Sequence, residues 1–253
     1  MVPVITIISV VYNGADTLED TIRSVLSQSY PNIRFMIIDG GSKDGTLDII
    51  TKYAEDLHYY CSEPDQGIYD AMNKGWGKAA SDSYILYLGA GDRILQLPSP
   101  ADLQKADVIY GTTLVGSIKF KAKADDSLKI MNTLHHQSLL VKKQLHPDPP
   151  FRIQYRTYAD FDFNQRLYKA GASFYHVPDF VAYALPGGVS STIKLKEILQ
   201  IVKANFGRRY MLLAFPVLLL IITVTSIFYG SRRLYRYMPG MKKAEVSNTP
   251  AGS

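Results

Sequence analysis

Two carboxylates in the first hundred residues, Asp39 and Asp92, each follow an apolar run and stand among glycines, a placement in which a side chain meets a ligand rather than a core. Phe35, Met36, Ile37 and Ile38 form a continuous apolar run suited to a parallel strand buried on both faces, and Asp39 closes it ahead of Gly40 and Gly41. A second strand-like run, Asp82 to Leu88, ends in Gly89-Ala-Gly-Asp92. In open parallel α/β sheets, ligands occupy the crevice beyond the carboxyl ends of the strands, so two acids at one edge of one sheet would face a common crevice. The glycines let the backbone turn sharply and approach a bound group. The other reading of either acid is a helix-cap or turn aspartate. Tyr158-Ala-Asp160-Phe-Asp162-Phe163 adds two acids in the first turn of an expected helix, where the helix dipole favours negative charge; that explanation suffices for Asp162. His135 and His136 precede a strand on which neighbours cannot face the same way, so His135 is read as structural or hydrogen-bonding and His136 as a candidate for the crevice.

The elements that must position these residues are legible from periodicity. Val4 to Val11 is an apolar, β-branched first strand, and Met1-Val-Pro lacks the basic start of a signal peptide. Tyr12-Asn-Gly14 breaks it. Asp16, with Glu19 three residues on, resembles a capping box opening a helix whose apolar face is Leu18, Ile22, Val25 and Leu26, and Tyr30-Pro31 ends that helix. After the Asp39 loop, Ile50, Tyr53, Ala54 and Leu57 recur at i, i+3, i+4 and i+7, the stripe of a helix lying on a sheet. This β-α-β-α alternation predicts a right-handed, doubly wound, mostly parallel sheet. A short strand over Leu57 to Cys61, a turn-rich loop from Ser62 to Gly67 and a helix from Ile68 to Lys78 follow. Further strands are expected within 108–110, 114–120, 138–141 and 177–183, with a helix from the Asp160 region to Lys169 and a basic amphipathic helix over 193–206.

With 253 residues, 47% hydrophobic and 20% charged, the chain can bury one sizeable core and carry an appendage. The single cysteine, Cys61, excludes an internal disulfide and a cysteine-based zinc cluster, and fits a reducing, cytosol-facing location. The net charge of +5 is unevenly spread: from Arg208 onward there are seven Lys/Arg against one Glu, about +6, which leaves the first 207 residues near −1. That distribution argues against nucleic acid as a partner and for anionic lipid headgroups. Tyr210 to Tyr229 carries no charge, is rich in Leu, Ile and Val, and lies between Arg208-Arg209 and Arg232-Arg233. Its length matches a bilayer core, a buried core helix being the alternative; the flanking positive charges are balanced and do not decide between a span and a re-entrant or interfacial helix. Tyr210, Tyr229, Tyr235 and Tyr237 suit headgroup-level aromatic belts. The expected division is a main domain over 1–190, a flexible junction at 187–191 leading to a basic connecting helix over 191–209, a membrane helix over 210–230 and a basic, then polar, tail over 231–253.

Val10-Val-Tyr-Asn13, Ile38-Asp-Gly-Gly-Ser-Lys-Asp-Gly-Thr46, Ser62-Glu-Pro-Asp-Gln-Gly-Ile-Tyr-Asp-Ala-Met-Asn-Lys-Gly75, Leu88-Gly-Ala-Gly-Asp92 and the Ala159-Asp160-Phe-Asp162 helix start follow one another in this chain. Their order resembles that of family-2 glycosyltransferases of the GT-A fold, especially bacterial members that build exopolysaccharide or lipopolysaccharide repeat units. The resemblance runs over roughly residues 3 to 190. It implies that Val10, Tyr12, Asn13, Asp39 and Lys74 bind a nucleotide-sugar donor, with Val10 and Tyr12 against the base, Asp39 accepting a hydrogen bond from it, and Lys74 near the ribose and diphosphate. It further implies that Asp92 coordinates a divalent cation (Mg2+ or Mn2+) and that Asp160 is the catalytic base. Gly89 and Gly91 stand where many relatives have acidic or amide side chains, so one protein carboxylate, donor phosphates and water would hold the ion, which magnesium tolerates. Ala159 replaces the acid that usually precedes the base.

The activity so implied is an inverting transfer of a sugar from a nucleotide donor to a lipid-linked or glycan acceptor, by a cytoplasmic catalytic domain at the cell inner membrane. A non-catalytic nucleotide-sugar-binding subunit of a membrane assembly is the alternative from another class. A processive polysaccharide synthase would need several membrane spans, and one segment here is long enough.

Overall fold

The computed structural model describes residues 2–188 and 193–235, with side chains described to residue 224. Two compact units divide between Ala214 and Phe215. The first is built on strands β1 (Val4–Val11), β2 (Ile33–Asp39), β3 (Tyr59–Ser62), β4 (Ser83–Gly89), β5 (Arg93–Gln96), β6 (Val108–Val115), β7 (Ile118–Phe120), β8 (Leu139–Lys142) and β9 (Phe174–Ala184). Its helices are α1 (Leu18–Leu26), α2 (Thr46–Lys52), α3 (Ile68–Lys78), α4 (Pro100–Leu103), α5 (Ala159–Lys169) and α6 (Leu195–Phe206). Helix α7 (Arg208–Tyr235) begins in the first unit and continues into the second.

All eight residues of β1 are buried, as the apolar run demands of a central strand. It pairs in parallel with β2 on one side, Val11 opposite Asp39, and with β4 on the other, Val10 opposite Gly89. The described strands run β3-β2-β1-β4-β8-β6-β9-β5, with β7 paired to β6. The chain steps outward from β1 to β3 and then crosses to β4, so the topological switch point lies between β1 and β4, and the Asp39 and Asp92 loops leave the sheet on either side of it. Helices α1 and α3 cover the sheet. Leu18, Ile22 and Val25 of α1 are buried, and Gly75 of α3 sits so close to the sheet that a Cβ there would meet Ile8 at 2.5 Å.

The first four strands follow the sequence expectation and the rest of the sheet departs from it. Strands β3, β2, β1 and β4 are parallel, but β8 joins β4 and β6 antiparallel, and β5 joins β9 antiparallel, so the sheet is mixed. The Asp16–Glu19 capping box does not form. The Gly14 carbonyl accepts from Thr17 and Leu18 instead, and Glu19 accepts from Tyr53, Lys52 and Arg23, joining α1 to α2. The Tyr53 hydroxyl first, then the lysine and arginine, hold the Glu19 carboxyl down at about 2. Leu26 is exposed rather than part of the buried face. The expected stripe from Ile50 to Leu57 is broken: α2 stops at Lys52, a short 3-10 turn covers Ala54–Asp56, and Ile50 is buried while Tyr53 and Leu57 are half-buried.

Among the described residues no helix is long and apolar enough to cross a membrane, so the expected 210–230 segment stands here as helix α7 and not as a demonstrated span. The side chains of 225–230, most of the 187–191 junction and the tail beyond Tyr235 lie outside the described residues.

Candidate active site

Asp39 ends β2 fully buried. Its carboxylate accepts from the Ser42 amide at 3.0 Å, from the Ser42 hydroxyl, and from the Ser62 hydroxyl at 2.5 Å. Those donors allow a charge with no solvent contact, because a buried carboxylate persists when its oxygens are hydrogen-bonded. Close by, a Cβ on Gly40 would lie 2.4 Å from the Asp65 carboxylate and 3.3 Å from the Tyr12 ring, so the sharp turn after Asp39 leaves room for those two side chains only. Tyr12 is 64% exposed, its ring free to lie against a planar ligand, whereas Val10 is buried in the strand. Asn13 adopts φ 49°, and its side chain accepts from the Lys43 amide at 2.9 Å, which fixes the β1 loop against the Asp39 loop. Lys74, nearly two turns into α3, pairs with Glu63 at 3.0 Å and donates to the Pro64 carbonyl at 2.7 Å.

Asp92 is buried at the end of β4 and holds three segments together. One oxygen accepts from the Leu185 amide at 2.9 Å, at the end of β9; the other accepts from the Gly89 amide at 2.8 Å and from Gln137 Nε2 at 3.0 Å. Gln137 Oε1 is buried with no hydrogen-bond partner. Among the described residues no three His, Cys, Asp or Glu side chains form a metal cluster. The side chain here that could hold a hard cation is the Asp92 carboxylate, and phosphate and water would have to supply the remaining ligands.

Asp160 lies in the first turn of α5, its side chain 13% exposed. Oδ2 is 3.2 Å from His136 Nδ1, and Oδ1 accepts from the Tyr69 hydroxyl at 3.2 Å. The single Tyr69 proton is shared with the Thr157 carbonyl, the nearer acceptor at 2.8 Å. Burial, then the Asp160 charge, push the Tyr69 hydroxyl well above its ordinary pKa, so it stays a donor. Burial opposes protonation of His136, but the hydrogen bond and charge of Asp160 outweigh it and hold the imidazole above its ordinary value. His135 points elsewhere: its ring packs on Phe120 at 4.1 Å, and burial, aided by His136, lowers its pKa to about 4. Asp162, read from the sequence as a dipole partner, is instead fully buried between Arg152 at 3.2 Å and Arg166 at 2.9 Å, with Asn205 donating at 3.0 Å.

One 3-10 turn, His136–Ser138, therefore presents consecutive side chains to two distant acids, His136 to Asp160 and Gln137 to Asp92. Sequence reasoning missed Gln137 and Tyr69. Gln137 was signalled by nothing but its neighbour, and Tyr69 lay inside an expected helix with no mark of the direction it faces.

The family described as glycosyl transferase family 2 matches residues 6–156, more than half of the chain; the match includes Asp39 and Asp92 and stops short of Asp160. A PGL/p-HBAD biosynthesis glycosyltransferase of Mycobacterium bovis is 31% identical over 215 residues, covering 78% of this chain and 83% of that protein. A putative teichuronic acid biosynthesis glycosyltransferase, TuaG, of Bacillus subtilis is 36% identical over 94 residues, 36% of this chain and 37% of that one. Among solved structures, S. aureus TarS 1-349 in complex with UDP aligns at a TM-score of 0.63 and 16% identity, over 80% of this chain and 65% of the other. Mannosyltransferase PcManGT from Pyrobaculum calidifontis, in complex with GDP-Man and Mn2+, aligns at 0.59 and 17% identity, over 81% and 64%. At such identities the likeness establishes the fold.

Proposed function

The chain belongs to glycosyl transferase family 2, and on that premise we propose that it is an inverting enzyme of bacterial cell-surface polysaccharide synthesis. It moves a sugar from a nucleotide-sugar donor to a lipid-linked glycan acceptor at the cytosolic face of the inner membrane. Family membership answers the alternative of a binding-only subunit: the chain is a transferase. The observation that carries the proposal is the His136–Ser138 turn, which ties the acid at the donor crevice, Asp92, to the acid at the head of α5, Asp160.

The donor lies across the switch point between β1 and β4. Tyr12 stacks on the base, Asp39 accepts from it once a serine hydroxyl gives way, and Lys74 turns from its Glu63 partner toward ribose and diphosphate. UDP and GDP-Man in the two fold neighbours support a nucleoside diphosphate as the donor's leaving group. Asp160, aimed by the Tyr69 hydroxyl and His136, takes the proton of an acceptor hydroxyl as that oxygen attacks the anomeric carbon in line with the departing diphosphate. The new C–O bond forms opposite the one that breaks, so the anomeric configuration inverts. A divalent cation at Asp92 supplies, when bound, neutralisation of the charge that develops on the diphosphate. The membrane setting is supported by α7, whose Leu212, Leu213, Phe215, Leu219 and Leu220 are each 46% or more exposed and follow Arg208-Arg209.

The test is a panel of UDP- and GDP-sugars incubated with the full chain, a divalent cation and bacterial membrane lipid extract. Release of nucleoside diphosphate that requires both the extract and one donor is the expected result; no release across the panel would contradict the proposal.

A further inference from the structure

The head of α5 is capped only in part from within: Asp160 Oδ1 accepts from the Phe161 amide at 2.8 Å. Tyr158, at the capping position, makes no side-chain hydrogen bond there, and the first turn leaves backbone N–H groups that need acceptors. The two amides that lead into that turn are held by another helix: Glu197 of α6 accepts from the Thr157 amide at 2.8 Å and the Tyr158 amide at 2.8 Å with a single oxygen. Thr157 is thereby held from both sides, its N–H by Glu197 and its carbonyl by Tyr69, the same hydroxyl that reaches Asp160. The far end of α6 grips the same helix: Asn205 donates to Asp162 and Gln165 at 3.0 Å each, and Lys169 donates to the Asn205 carbonyl at 2.8 Å. Ile198, Ile201 and Val202, buried between those ends, make α6 a fixed support.

We infer that Glu197 is a positioning residue for the transfer reaction, a cap supplied in trans that sets where Asp160 stands. The inference rests on Asp160 being the base. One side-chain oxygen that reaches both amides is suited to the task, and a shift of about 1 Å at a catalytic group is enough to cost about 100-fold in rate. Glu197 touches no reacting atom; its effect passes through the 157–160 backbone.

Three variants of the full chain test it: Glu197→Ala, Glu197→Gln and Glu197→Asp. Gln keeps an oxygen at the same reach without charge, and Asp keeps the charge but falls short of the two amides. The measurements are UDP or GDP release from the donor panel with lipid extract, affinity for UDP and GDP, and amide hydrogen exchange over 157–162, which reads the contact whatever the donor. Capping predicts that Ala and Asp lose 10- to 100-fold in release rate, with nucleotide affinity within about twofold of the parent and exchange at Thr157 and Tyr158 at least about tenfold faster. Gln stays within about threefold of the parent in both. If Ala does not fold, the contrast between Gln and Asp decides alone. Equal rates and exchange in all variants, or Asp behaving like the parent while Gln fails, would overturn the inference. Asp160→Asn is run alongside: parent-like release there would remove the base assignment, whereas a dead Asp160→Asn beside a parent-like Glu197→Ala would remove only the role of Glu197.

Discussion

Asp39 and Asp92 flank the same strand, yet their surroundings give them different work. Asp39 is enclosed by serine hydroxyls next to the exposed Tyr12 ring, while Asp92 is bound by amides beside an unpartnered amide oxygen. Asp39→Ala is therefore expected to weaken nucleotide affinity with or without a divalent cation, and Asp92→Asn to remove only the cation-dependent part. Calorimetric titrations giving equal, cation-independent losses for both would refute that division. Asp162 belongs to stability: Asp162→Ala leaves Arg166, whose side chain is 14% exposed, without its partner, and should cost about 3 kcal/mol, a fall of roughly 10 °C in Tm. An unchanged Tm would show the ion pairs to be dispensable. Histidine sets an acid limit. His146 is buried against Phe163 at 4.9 Å, and burial lowers its pKa from 6.5 to about 4. Below pH 6.5 the unfolded chain takes up a proton that the folded chain refuses, so stability falls as pH drops from 6.5 toward 4, by up to about 3 kcal/mol from this residue. Denaturation midpoints measured at pH 7 and pH 4.5 check it, and a His146→Leu variant should show a smaller difference between them.

At the scale of elements, close contacts between backbones set what the sheet tolerates. A Cβ on Gly111 of β6 would lie 2.1 Å from the Phe180 carbonyl oxygen of β9, at the irregularity in their parallel pairing, and backbone cannot step aside. Gly111→Ala is expected to cost about 3 kcal/mol, more than Gly75→Ala, whose new methyl meets the side-chain Cγ2 of Ile8 rather than backbone. Chemical denaturation of both ranks them; the reverse order would contradict the packing argument. The same distinction between local and distant contacts explains what was legible in the sequence. β1, β2 and β4 read clearly because each is an apolar run closed by Gly, Asn or Asp. The antiparallel entry of β8 and the pairing of β5 with β9 leave no local pattern, since both depend on residues some 55 to 90 positions apart. The site follows the same rule. The crevice acids are marked by their neighbours in sequence, whereas Gln137, Tyr69 and Glu197 matter through partners far along the chain, and periodicity is silent about those. Asp162 misled because a first-turn acid satisfies the dipole argument on its own; nothing local signals Arg152 and Arg166 closing over it.

The whole molecule divides into a unit that ends at Ala214 and the apolar, then basic, segment that follows. Five Lys/Arg and one Glu lie beyond Ala214, so residues 1–214 carry a formal charge of about +1. A chain ending there should fold and no longer pellet with anionic liposomes at high salt, while the full chain does; co-sedimentation of both would place the membrane contact within the catalytic unit. The central claim is that this unit performs base-driven glycosyl transfer, and Asp160→Asn tests it most directly. Asparagine keeps the shape and much of the capping ability of aspartate, and it can still meet Tyr69 and His136, but it cannot take a proton. Dipole complementation at a helix start is worth about 0.3 to 1 kcal/mol, whereas a general base contributes about 100- to 10,000-fold in rate. The measurement is the initial rate of transfer, with nucleotide affinity and Tm on the same preparation. The account predicts affinity and Tm close to the parent and transfer slower by at least about 100-fold; near-parent turnover in Asp160→Asn would contradict it.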